Sequence, residues 1–106
     1  MTKFASASPA DLTPPSHLSA RAVELWHFVV PARANSLPQI ALVRSALEAL
    51  DRADAAREQI AKEGLTFTTI STGAIHLNPL TRLEKESRAA FVATWAGVLK
   101  FDWIGN

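Results

Sequence analysis

His17, His27 and His76 are the only imidazoles in the chain, and cysteine is absent. Imidazole and thiolate are the groups best suited to hold a transition metal or to move a proton near neutral pH. A zinc site draws its ligands in pairs a few residues apart, and no two histidines have that spacing. No glycine-rich phosphate loop, nucleophile elbow or zinc motif is present. The carboxylates are interleaved with arginine and lysine, the pattern of solvated helix surface rather than of a paired general acid and base. Ser36 precedes Leu37-Pro38 and Asn78 precedes Pro79-Leu80, where a short polar side chain caps a helix; capping explains both better than reactivity. The expectation is a non-enzyme, with no catalytic residue, no cofactor and no metal.

Binding is then the function to look for. With 106 residues the chain makes one small domain, and 48% hydrophobic residues are enough for a core. The net charge is only +1, divided almost evenly along the chain. A protein that grips DNA as a monomer carries an obvious basic patch. Contact with nucleic acid is therefore expected to be weak, or to run through many copies that each repeat a few positive side chains. The opening MTKFASASPADLTPP lacks the apolar run of a signal peptide. No run approaches the roughly 18 apolar residues of a membrane span. A soluble cytoplasmic protein with no membrane partner is expected.

Patterning predicts a mainly α fold: three helices at about 19–35, 37–63 and 79–98, with a short β-hairpin at about 65–77 between the second and third. The second helix has the clearest ends, with Ser36 as N-cap, Pro38 in the first turn and Gly64 as the left-handed stop. Ile40, Val43, Leu47 and Leu50 form its packing seam. After Leu50 alanine and charge take over, a surface suited either to solvent or to a polar subunit contact. The sharper expectation is that this half lies beside a neighbouring copy, with Arg52, Arg57 and Ile60 at the interface. In the first helix Ala22, Leu25, Trp26, Val29 and Val30 make one apolar face, and Pro31 either kinks or ends it. The last helix is expected to bury Leu80, Leu83, Phe91, Trp95 and Val98. Residues 1–15 read as a flexible arm, 16–99 as the helical oligomerisation domain and 100–106 as a tail. Phe101, Trp103 and Ile104 in that tail either fold back on the core or dock another protein.

One family shares this order of features. Pro14-Pro15-x-His17-Leu18-Ser19 is followed by an alanine-bearing helix with Leu25-Trp26 and Val30-Pro31, a long helix ending Glu63-Gly64, a threonine-rich hairpin, Asn78-Pro79 and an arginine-bearing helix. Over residues 14–99 the chain resembles the small subunit of phage terminase, in the compact family of long-tailed phages, prophages and gene transfer agents. The resemblance implies a non-catalytic, mainly helical subunit that forms a ring of about eight to ten copies. Such a ring loads viral DNA and regulates a large subunit carrying the packaging ATPase and nuclease. For a subunit of that kind the candidate double-stranded DNA contacts in this chain are Lys3, Arg21, Arg33 and Arg44, and the candidate large-subunit contacts are Phe101, Trp103 and Ile104. Family members often end in a Leu-Gly-Leu-x-Pro-like segment and a basic tail, whereas this chain ends Phe101-Asp102-Trp103-Ile104-Gly105-Asn106. The implied DNA binding is accordingly weak and of little sequence preference. The competing class is a helical structural or adaptor protein that binds other proteins and not DNA. A transcription regulator is disfavoured, because the long helix sets four basic residues (Arg44, Arg52, Arg57, Lys62) against five acidic ones (Glu48, Asp51, Asp54, Glu58, Glu63).

Overall fold

The computed structural model describes residues 7–69 and 71–100. Along the chain run α1 (Ala20–Val29), α2 (Leu37–Glu63), β1 (Thr66–Thr68), β2 (Ile75–Leu77) and α3 (Leu80–Leu99). The expected three helices and intervening antiparallel hairpin are all present. At 1.5 Å per residue α2 is about 40 Å long, more than the width of a small domain, so the molecule is built along it as a rod.

Local chemistry accounts for the ends of α2. The Ser36 hydroxyl accepts from the Gln39 N–H while the Gln39 side chain accepts from the Ser36 N–H, a reciprocal capping box. Pro38 lies in the first turn, where no helical N–H is needed. At the other end Gly64 takes φ +93° and its N–H donates to Ile60 O. Only glycine adopts that backbone angle without strain.

α1 starts as expected, with the Ser19 hydroxyl accepting from Ala22 N at 3.1 Å. It ends sooner than expected, at Val29 rather than near residue 35. Val30 is extended (φ −107°, ψ 128°) because Pro31 disfavours helical geometry in the residue before it. A cis Val30–Pro31 peptide follows. The chain then turns back through hydrogen bonds from Arg33 N and Ala34 N to Val29 O.

The main core joins α1, the first half of α2 and the far end of α3. Trp26, Val29, Val30 and Ala34 pack with Ile40, Val43, Leu47, Leu50 and Val98. Phe91 and Trp95, stacked at 5.6 Å, lean on it from α3. α3 runs antiparallel to α2, as three contacts in sequence order show: Asn78 with Glu63, Glu84 with Arg57 and Arg88 with Asp54.

Two expectations about the helices change here. One face of the second half of α2 is already covered within the chain, where Ala53, Ala56 and Ile60 are buried. Alanine lets α3 approach closely, and the charged residues beside it pair across the contact instead of facing solvent alone. On α3, Leu83 is largely exposed, while Leu80, Glu84, Ser87, Phe91, Thr94 and Val98 mark the side turned inward. Their three- and four-residue spacing places Leu83 at the margin of that stripe.

The segment expected as a flexible arm is partly folded. Residues 7–15 lie against the core, with Ala7 and Leu12 packed on it. Ser8 and Asp11 close a local turn: the Asp11 carboxylate accepts from Ser8 N at 2.9 Å and from its hydroxyl at 2.8 Å. The Trp26 indole N–H donates to Leu12 O at 3.0 Å. Composition alone did not reveal that a buried tryptophan would need this carbonyl. The rest of the expected arm, including Lys3, lies outside the described residues.

Candidate interaction surfaces

The three described arginines implied as DNA contacts do not form one patch. Arg21, exposed on α1, reaches Asp54 on α2 at 3.3 Å. Arg44 donates to Glu48 one turn later at 3.1 Å. Arg33 stands in the turn after α1 with its guanidinium 5.2 Å from the Phe28 ring centroid. Ten residues separate Asp54 from Arg44 on α2, about 15 Å along the helix axis. Arg21 and Arg44 are each held beside a carboxylate, so their positive potential is partly cancelled within the chain.

Asp54 is the hub of a charged network that sequence spacing alone did not expose. It accepts from Arg21 on α1 and from Arg88 on α3, both at 3.3 Å. Arg88 also reaches Glu84 at 3.1 Å, and Arg57 stands 3.6 Å from Glu84. These groups tie three helices together where large apolar side chains give out. All are partly exposed, and ion pairs of that kind contribute only about 0–1 kcal/mol each. Among the expected subunit-interface residues, Arg57 therefore sits at the α2–α3 seam and Ile60 is buried within the chain. Arg52 is exposed and lines a cleft of about 360 Å³ with His17, Glu48, Asp51 and Ala55.

That cleft anchors the start of α1. Ser19 donates from its backbone N–H (2.8 Å) and hydroxyl (2.6 Å) to Asp51, and His17 Nε2 lies 2.7 Å from Glu48. The hydrogen bond from His17, aided by Arg44, holds the Glu48 carboxyl below its ordinary value of 4.5. A depressed folded-state value means the contact stabilises above the ordinary value and is lost as pH falls through the folded one. Thermal melts should thus show wild type more stable than Glu48→Gln at neutral pH. The gap should shrink as pH drops below 4.5. A gap that stayed constant with pH would remove Glu48 from this role.

The hairpin gathers several of the exposed large apolar side chains among the described residues: Leu65, Phe67, Ile75 and Leu77. All six strand residues are exposed, in the register Thr66 to Leu77, Phe67 to His76 and Thr68 to Ile75. Paired residues share a face of the sheet. Phe67 and His76, stacked at 5.1 Å, therefore lie on one side, and Thr66, Thr68, Ile75 and Leu77 on the other. At its base, Leu65 lines a groove of about 240 Å³ with Arg57, Ile60, Ala61 and Glu84. From Leu65 to Thr81 the sequence contains no Asp, Glu, Lys or Arg. That absence was the readable signal for an interaction surface here. A second uncharged run, Ala89–Leu99, leaves Val92 and Leu99 exposed on the outside of α3.

The expected partner-binding residues Phe101, Trp103 and Ile104 lie outside the described residues. Among those described, no three or more His, Cys, Asp or Glu side chains form a group able to hold a metal ion. No described helix is long and apolar enough to cross a membrane. The class defined by these features is a mainly helical rod with a protruding apolar hairpin. No family model, curated protein or solved structure matches the chain.

Proposed function

We propose that the chain is a non-catalytic assembly subunit of a DNA-packaging terminase, the small subunit that forms a ring, holds DNA weakly and recruits a large ATPase–nuclease subunit. The observation that carries the assembly part is the charge-free hairpin. Two three-residue strands exposed on both faces are marginal in water and need a further surface to lean on. The terminase assignment is supported by the order of motifs from Pro14 to Leu99 and by a fold of the expected kind. Repetition in a ring would sum the few positive side chains of each copy into avidity.

Binding of double-stranded DNA, measured at two salt concentrations, tests the DNA part. Phosphate contact by Lys3, Arg21, Arg33 and Arg44 predicts at least a roughly tenfold loss of affinity between 50 and 200 mM salt. It also predicts a shallower salt slope for Arg33→Ala. Affinity that ignores salt, or no measurable binding by the assembled protein, would rule those contacts out.

A second reading has its own support. Asp54 and Glu48 already engage Arg21 and Arg44, and the net charge is +1. Both favour a helical adaptor that assembles and binds proteins without touching DNA. Assembly together with large-subunit binding, but without DNA binding at low salt, would select this reading.

A further inference from the structure

Leu65, just before β1, lines the groove at the base of the hairpin with Ile60 and Ala61. Ile75 and Leu77 stand on the side of the hairpin away from Phe67 and His76. We infer that Ile75 and Leu77 of one copy insert into the Ile60–Ala61–Leu65 groove of the next, joining copies head to tail. The inference rests on the assembly part of the proposed function and not on its DNA part.

Four observations commit the surface to a second copy of this chain. First, both sides of the hairpin are apolar and exposed: Leu65 is 62% accessible, Phe67 49%, Ile75 74% and Leu77 64%. A two-fold dimer pairing one hairpin face with its equivalent would leave the other face wet. A head-to-tail junction uses one face toward each neighbour. Second, at about 200 Å² per large apolar side chain, Ile75 and Leu77 offer roughly 280 Å² to one neighbour, and Leu65 and Phe67 roughly 220 Å² to the other. Each is about a third of the approximately 800 Å² per partner typical of a stable interface, and the helix surface around the groove supplies further area. Third, the charges match. The inserted hairpin carries none, and the two charges flanking the groove, Arg57 and Glu84, already face each other at 3.6 Å. Insertion therefore strands no unpaired ion, which would be costly. Fourth, the groove of about 240 Å³ has room for a branched aliphatic side chain.

The donating strand and the accepting groove lie at the same end of the α2–α3 pair. A head-to-tail contact between them gives a closed ring if the rotation from copy to copy closes, and an open filament if it does not. The absence of charged gatekeepers along both edges of the hairpin has the same explanation, since they would obstruct a partner that is meant to bind.

The test uses the full chain and two surface variants. Ile75→Asp removes the inserting side chain, and Ala61→Trp fills the groove. Native mass measurement should find wild type as a multimer and each variant alone as the 11.5 kDa monomer. Mixing the two variants should give a species of twice that mass, because Ile75→Asp keeps a groove and Ala61→Trp keeps an inserting strand. That complementation also shows that both variants are folded. If Ile75→Asp dissociates and Ala61→Trp does not, the hairpins contact something other than the groove and the inference fails. Wild-type assembly in both variants, or a mixture that stays monomeric, overturns it equally. A monomeric wild type would instead defeat the assembly reading itself, and loss of DNA binding in an intact multimer bears only on the DNA part.

Discussion

Trp26→Ala is expected to cost about 3–5 kcal/mol, a large part of the total of about 5–15 kcal/mol that holds a small domain folded. The reason is that Trp26 meets three parts of the molecule at once. It is 1% exposed, packs with Leu47 and Leu50 in the core, and donates from its indole to Leu12 O. Truncation leaves a cavity between α1 and α2 and an unpaired carbonyl in residues 7–15. Chemical denaturation followed by circular dichroism gives the magnitude. Trp26→Phe separates the two effects, because it keeps a ring but loses the donor. It should cost about 1–2 kcal/mol and make residues 7–15 the first site of proteolysis. An unchanged protease pattern in Trp26→Phe would mean that the indole hydrogen bond does not hold that segment.

The second large effect is expected at Asn78, at the junction of hairpin and α3. Its side chain is 5% exposed and uses both ends. The amide donates to Gly64 O at 3.0 Å and to Glu63 Oε1 at 3.1 Å, while the carbonyl accepts from Leu80 N at 3.0 Å. One residue thus ties the end of α2 to the start of α3. Asn78→Ala leaves a helix-start N–H and a helix-end carbonyl without these partners. The expected loss is about 2–3 kcal/mol, from the cap and the buried polar groups together. At roughly 5 °C per kcal/mol for a domain of this size, the melting point should fall by about 10–15 °C. Asn78→Asp tests the clamp against simple capping. It keeps the acceptor for Leu80, loses the donor and places a second carboxylate beside Glu63. Clamping requires Asp to be nearly as damaging as Ala. An Asp variant as stable as wild type would reduce Asn78 to an N-cap.

Much of the backbone was legible because its signals are local. Ser36, Pro38 and Gly64 bound α2 by chemistry acting within four residues, and the structure begins and ends the helix where they indicate. The seam Ile40, Val43, Leu47 and Leu50 is buried throughout. Asn78 was legible as a cap. Its second task was not, since the partners Glu63 and Gly64 are fifteen and fourteen residues away and meet it only once the hairpin has folded. Pro31 marked trouble in the first helix. Which outcome followed depended on whether Arg33 and Ala34 could close a turn onto Val29.

The surfaces were harder to read, for one physical reason. An alanine-and-charge stripe has the same pattern whether it meets water, a neighbouring copy or another helix of its own chain. Periodicity gives which side chains share a face and says nothing of what covers it. Taken alone, the residue order specifies the three helices, the hairpin, the caps and the lack of charge from Leu65 to Thr81. Packing decides the rest. It lays α3 antiparallel along Ala53 and Ala56, makes Asp54 the meeting point of Arg21 and Arg88, and folds residues 7–15 onto Trp26. It also leaves the hairpin bare on both sides. Those contacts join residues far apart in sequence, and their geometry comes into being only when the helices dock.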